Sequence, residues 1–384
     1  MNPDLPYYVG FSHFLGIGPI RFKKIKASFP SIKTAYNASY NDLKKIIGEP
    51  LTQKFVAFRN TFDTHSIVDK LYKKNIHILC LDDKAYPKQL VNIEDTPICL
   101  YLVGNKKLIE QPSEKNFAIV GTRKASSYGL NITRLFTTGL SNAGFTIVSG
   151  MALGIDSSAH QATIDCKGKT IAVLGCGVDI VYPPSNYNLY QNIIKSQGLI
   201  ISEFPPGLTV LKGLFVARNR LISGLSCGVL VVEGAINSGA LITAKFAGQQ
   251  GRDVFAPPSP ITSNLSFAPN LLIKNGAKMV TCVDDILEEY NINRSSSDIK
   301  SIIEGLNDLS KKIVIKLAEE TQSADDLSRL FGVPVNQILD QITNLEIDGL
   351  IGKSYEGNYY LITLEIAGGT TGRASLQRKD IVEH

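Results

Sequence analysis

Six short apolar runs, "FAIVG", "FTIVSG", "TIAVLG", "LIISEF", "GVLVVEG" and "DVFAPP", recur between Phe117 and Pro258, with helical patterns between them and glycines at several of their ends. A strand with one wet face alternates apolar and polar residues. A run that is apolar throughout must be covered on both faces, and at this spacing the cover is a set of helices joining parallel neighbours. The pattern predicts an α/β fold over residues 76–290, a Rossmann-like parallel sheet with helices on both faces. Ligands of such sheets bind beyond the carboxyl ends of the strands, where most of these Gly-rich turns fall.

The flanks read differently. Residues 1–75 show short helices with Gly-Pro turns and no clear strands. Within them "LGIGPIRFKKI" (Leu15 to Ile25) resembles a helix-hairpin-helix, open to a phosphate contact or to a plain helix start with a solvated lysine face. The polar run from Asn291 reads as a linker to about residue 304. Helical patterns at Lys311 to Ala318, Ala324 to Phe331 and Val335 to Glu346, then a hairpin in "GLIGKSYEGNYYLI", outline a winged helix over residues 305–366. Residues 367–384 lack hydrophobic periodicity and are expected to be disordered.

Charge separates the two ends. Residues 1–70 carry ten Lys/Arg against five Asp/Glu, and residues 305–365 carry five against ten. Phosphate contact needs cations. Val335 to Glu346 has none, which argues against a duplex-reading recognition helix and for a protein partner. The net charge of +5 on 384 residues would not by itself imply nucleic acid. With no apolar run of about 18 residues and no secretory pattern in "MNPDLPYY", a cytoplasmic protein without a membrane span is expected. The six cysteines sit singly with no C-x-x-C, so neither zinc nor a disulfide framework is expected and they read as core residues.

Two stretches carry most of the chemistry. In "GTRKASSYG" (Gly121 to Gly129), Gly121 permits a turn, Thr122, Ser126 and Ser127 offer hydroxyls, and Arg123 offers a planar cation. A helix expected from about Leu130 aims its amides at the same place, so the stretch describes an anion pocket. It is neither a Walker loop nor a G-x-G-x-x-G dinucleotide turn. In "LKGLFVARNRLISGLS", Lys212, Arg218 and Arg220 surround Phe215. A base stacked on Phe215 with cations on its phosphates suits a single strand. The alternatives are a core role for Phe215 and loop carbonyls as the partners of Arg218 and Arg220.

Further turns supply supporting loops at Ser149, Gly150 and Gly154, at Gly175, and at Ser238 and Gly239. Asp156 reads as an N-cap, and His160 one turn later reads as packed rather than catalytic. Tyr182, before two prolines, could stack on a base or pack. Neither a catalytic constellation nor a metal or cofactor site is expected.

"GTRKASSYG", "SGMALGIDSSAH", "IAVLGCGVDIVYPPSN", "SEFPPG", "RNRLISGLS" and "VVEGAINSGALITAKFAGQQGRDVFA" run in order with "YPKQLVNIEDTPICLYLVG" and "NLLIKNGA" across residues 86–277. Together they resemble the DNA-processing protein A (DprA/Smf) family. The resemblance implies a homodimeric, non-enzymatic protein of natural transformation that binds and protects incoming single-stranded DNA and loads the RecA recombinase. It places the phosphate pocket at Gly121, Thr122, Arg123 and Ser126, with Lys212 and Phe215 contacting the strand. Departures are Thr122 for Ser, Leu153 for Arg, Val216 for Pro, and Ser259 and Ala268 for glycines; the last two bear on the backbone course there. A rival is an enzyme like the nucleoside-monophosphate phosphoribohydrolases, which carry "PGGxGTxxE". Here the region reads "INSGALITA", without the glutamate.

Overall fold

The computed structural model describes residues 2–109, 115–211, 213–292, 305–347, 350–354 and 357–361. They divide into two compact units, one of residues up to 133 with 144–281, the other of 134–143 with the described residues from 282 on.

The first unit opens with six helices: α1 (Leu5–His13), α2 (Pro19–Ser28), α3 (Ile32–Tyr36), α4 (Tyr40–Ile47), α5 (Glu49–Thr61) and α6 (Thr64–Lys73). Ser31, Ser39 and Asp63 start α3, α4 and α6, each accepting from the amide three residues on. The helices enclose an aromatic cluster in which Phe11 stacks on Phe55 at 5.2 Å. That cluster does not close on itself. Tyr8, Phe11 and Ile25 share one core with Cys80, Cys99 and Tyr101 of the sheet, and the Tyr101 hydroxyl donates to Ser12 Oγ at 3.0 Å. Asp82 accepts from both the Tyr8 hydroxyl and the Lys26 ammonium, pinning α1 and α2 to the same edge.

The sheet has nine strands: β1 (His77–Cys80), β2 (Cys99–Gly104), β3 (Asn116–Val120), β4 (Thr146–Ser149), β5 (Lys169–Val173), β6 (Leu199–Ser202), β7 (Gly228–Val231), β8 (Asp253–Ala256) and β9 (Lys278–Met279). Their order is β1-β2-β6-β5-β4-β3-β7-β8-β9. Strands β3 to β8 are the six apolar runs, and all run parallel. The sheet as a whole is mixed, because β2 pairs antiparallel with both β1 and β6. Between β1 and β2 lies only the four-residue α7 (Lys88–Val91), where a parallel crossover needs a full helix.

Helices α8 (Ser127–Asn142), α9 (Ile155–Asp165), α10 (Tyr187–Lys195), α11 (Leu214–Gly224), α12 (Gly239–Gln249) and α13 (Phe267–Lys274) make the crossovers, and α14 (Asp284–Glu289) follows in the second unit. Successive strand residues face opposite layers. Ala118, Val120, Ile171 and Val173 join one core, while Phe117 packs on Phe145 and Phe255 across the other face. The backbone near the two replaced glycines takes an ordinary course. Neither Ser259 nor Ala268 has positive φ, Ser259 exchanges two hydrogen bonds with Asn270, and the Ala268 amide donates to Gly234 O at 2.7 Å.

In the second unit, helices at Asp308–Glu319, Ala324–Phe331 and Val335–Ile347 surround Ile313, Leu327, Ile338 and Ile342. The hairpin of β10 (Ile351–Lys353) and β11 (Tyr359–Leu361) closes that core, Ile351 opposite Leu361. The expected linker beyond residue 292 lies outside the described residues as far as 304, and so does the tail from 367. Among the described residues no helix is long and apolar enough to cross a membrane, and all six cysteines are free thiols.

Candidate nucleic-acid interface

Strand order reverses at β3. The chain steps from β3 through β4 and β5 to β6 on one side, and places β7, β8 and β9 on the other. At such a switch point the two carboxyl-end turns diverge and leave a crevice. Here that crevice is a cleft of about 590 Å³ between the turn after β3 and the turn after β7, with residues of α11 along it.

The β3 turn is held by its backbone. The Thr122 amide donates to Glu233 O at 2.8 Å, its carbonyl accepts from Ile155 N, and its hydroxyl accepts from Lys124 N at 3.2 Å. Gly154, at φ +78°, sits so close beneath that any side chain would strike the Thr122 carbonyl. The next helix, α8, starts at Ser127, three residues before its expected start.

Its anion comes from inside the protein. Buried Glu233, just past β7, takes the Ser126 amide at 3.0 Å and the Ser126 hydroxyl at 2.5 Å. Gly129 leaves room for that carboxylate, because a Cβ there would occupy its Oε2. Ser126 is therefore not an open phosphate ligand in this structure: a carboxylate already fills the helix start. The exposed cations of the turn are Arg123 and Lys124, on the cleft wall.

Phe215, half-buried in the first turn of α11, faces them. The Arg123 guanidinium lies 5.7 Å from the centre of its ring, a cation–π arrangement. On the same ring Tyr182, 39% exposed, packs tilted with centroids 5.3 Å apart, and Gly175 lies beneath. Gly121 lines the cleft at the foot of the turn, and Ser238 and Gly239 line it at the start of α12, where Ser238 caps the Ala240 amide.

The other two arginines of the second stretch point inward. Arg218, 3% exposed, donates to Gly150 O at 2.5 Å and to Val173 O. Burial pulls its guanidinium down to about 10, against the opposing charge of Asp156. Asp156 does not cap α9, whose N-cap is Gly154. It accepts from the Gly150 and Ala152 amides, and burial raises its pKa despite the Arg218 charge. Arg220, 2% exposed, pairs with Glu203 at 2.5 Å and Asp95 at 2.6 Å. Phosphate contact by Arg218 and Arg220 is thus corrected to a buttressing role, since both are buried, Arg218 Nη1 is held by two carbonyls, and Arg220 is held by Glu203, Asp95 and the Ala217 carbonyl. Ser149 is fully buried, its hydroxyl on Ile119 O, and Gly150 supports the Arg218 site from below. His160 is packed, its Nδ1 2.7 Å from Thr170 Oγ1, with its pKa lowered to about 3 by burial and then by the Arg218 charge. Lys212 lies outside the described residues.

Residues 77–291 match the DNA recombination-mediator protein A family, and residues 301–354 match the DprA winged helix domain. The chain belongs to the DNA recombination-mediator protein A family. Protein Smf of Synechocystis is 32% identical over 92% of this chain and 97% of that one. DNA processing protein DprA of Streptococcus pneumoniae is 43% identical over 59% of this chain and 78% of that one. A solved structure of the Streptococcus pneumoniae protein superposes with TM-score 0.62 at 34% identity, covering 74% of this chain and 96% of the other. A structure of Helicobacter pylori DNA processing protein A, described for its single-stranded DNA binding mode, gives 0.50 at 29% identity over 56% and 95%.

In this DprA-family chain the family match spans every turn that lines the cleft. Several cleft residues carry no mark of their own in the sequence, among them Lys124, Asn219 and Asn237. Lys124 was hidden inside the quoted turn, Asn219 between two arginines, and Asn237 in the loop after β7. The adjacency of Arg123 and Lys124 was a usable signal. For the asparagines there was none, since their place depends on how three separate loops converge.

Proposed function

We propose that this protein binds single-stranded DNA along the carboxyl edge of its sheet, with phosphates at Arg123 and Lys124 and a base stacked on Phe215. The observation that carries the reading is the grouping of Arg123, Phe215 and Tyr182 at the mouth of the switch-point cleft. Among the described residues Arg123 has no ion pair, so its charge is available to a phosphate. An unpaired base offers a face to an aromatic ring that a duplex keeps stacked inside, and both contacts are indifferent to sequence. The Helicobacter pylori relative, described for single-stranded DNA binding, supports the same reading. Lys212 joins the proposed site through its place beside Phe215 in the sequence and the family resemblance.

The wider role follows the family: a cytoplasmic homodimer of natural transformation that protects an incoming strand and delivers it to the RecA recombinase. The family's description as a recombination mediator supports that role. A non-enzymatic role is supported by the acids at the sheet edge. Asp156 accepts from two amides beside Arg218, and Glu233 accepts from Ser126, so both acids have structural partners in the fold. Fluorescence anisotropy of labelled oligo-dT with unlabelled duplex as competitor tests the reading. Binding that oligo-dT displaces and duplex does not is expected. Equal displacement by duplex, or release of hydrolysed nucleotide in a control assay, would count against it.

A further inference from the structure

The inference rests on the single-strand reading and extends it to a second surface. On α6 and the residue after it, Lys70, Lys73 and Lys74 share a face with Ile67, whereas His65, Asp69 and Tyr72 line a different cavity on the other side of the helix. The lysine face opens on a cleft of about 440 Å³ whose opposite wall is Pro206, Gly207 and Asp179. All three lysines are exposed, and among the described residues none has an ion pair. Cations near a helix C-terminus suit the macrodipole. That alone does not call for three of them to be gathered on one cleft wall. Asp179, the acid on the facing wall, accepts the Gly207 amide at 2.8 Å.

One loop, residues 175–182, joins this cleft to the first. Gly175 lies under Phe215, the Gly177 amide donates to Leu208 O at 2.9 Å, Asp179 holds Gly207, and Tyr182 packs on Phe215. Asp179 and Tyr182 are three residues apart, so they stand at most about 10 Å from each other. We propose that Lys70, Lys73 and Lys74 form a second phosphate-contact site for the same DNA strand. The strand leaves the stacking position at Phe215 and Tyr182, crosses the 175–182 loop, and lays its backbone against α6. Compact, flexible ammonium groups with no ion pair among the described residues fit this use, because they track phosphates and read no base.

The test compares the wild-type chain with the combined variant Lys70→Gln, Lys73→Gln, Lys74→Gln on oligo-dT of about 6 and about 20 nucleotides, at several salt concentrations. Thermal melting checks that the exposed substitutions leave the fold intact. The expected result is unchanged binding of the short oligonucleotide and weaker binding of the long one, with a log-log salt slope shallower by roughly 2 for three lost contacts. Arg123→Ala should weaken both lengths. If the triple variant matches wild type at every length while Arg123→Ala does not, the second site is wrong and the first reading stands; that is also the result an acidic protein partner for the lysines would give. If the triple variant loses the short oligonucleotide too, the lysines act at the first cleft and the extension fails. Wild-type chain that binds neither length would overturn both.

Discussion

A guanidinium looks the same in a sequence whether it meets a phosphate or a carbonyl, and this chain uses arginine both ways. Arg123 lies exposed over an aromatic ring, while Arg220 is sealed between Glu203 and Asp95. Removing one member of a buried pair strands the other's charge, so Arg220→Ala should lower unfolding free energy by about 3–5 kcal/mol in urea titrations. Arg123→Ala should stay within about 0.5 kcal/mol of wild type. His160 gives a pH signature. Its folded pKa, lowered to about 3, lies below the unfolded value of 6.5. Above pH 6.5 the imidazole is neutral in both states and costs nothing. As pH falls from 6.5 toward 3 the unfolded chain takes up a proton that the native site refuses, so stability drops across that window and levels below it. The hydrogen bonding agrees: Thr170 Oγ1 already donates to Ile147 O, so the neutral ring carries its proton on Nδ1 and donates to Thr170. His160→Gln should flatten that part of the stability profile, measured by denaturant unfolding from pH 7 to pH 3. An unchanged slope would show that other groups set it.

Elements were legible where burial was two-sided. Strands β3 to β8 announce themselves because every residue of most of them is buried, leaving continuous apolar runs. Strand β9 has two exposed residues and gives no such signal, and the antiparallel pairing of β2 depends on a partner almost a hundred residues away. The start of α8 shows a subtler limit. Its amides, hydroxyls and glycines correctly indicate an anion, yet the anion is Glu233, 107 positions along the chain from Ser126. Local sequence shows what a helix terminus needs and not who supplies it. Gly129→Ala tests the element directly. Its methyl group would meet the Glu233 carboxylate, so a loss of about 1–3 kcal/mol is expected from urea unfolding. A neutral result would mean that the carboxylate is not seated at the α8 start.

Across the whole molecule, charge and topology divide the work. Residues 1–70 carry an excess of cations and residues 305–365 an excess of acids, and the described lysine face of α6 lies at the basic end. The switch point between β3 and β7 converts four separate loops into one rim, which is why Arg123, Phe215, Tyr182 and Ser238 meet although the sequence spreads them over more than a hundred residues. The resemblance to the DprA family indicated that rim, and the strand order explains it. The central claim is that this rim holds an unpaired polynucleotide by the cations Arg123 and Lys124 and the ring of Phe215. The most direct measurement is oligo-dT affinity of wild type, Arg123→Ala and Phe215→Ala over a range of salt concentrations. The account predicts that Arg123→Ala weakens binding and lowers the log-log salt slope by roughly 0.7, while Phe215→Ala loses about 1–3 kcal/mol with the slope unchanged. Wild-type affinity and slope in both variants would contradict it.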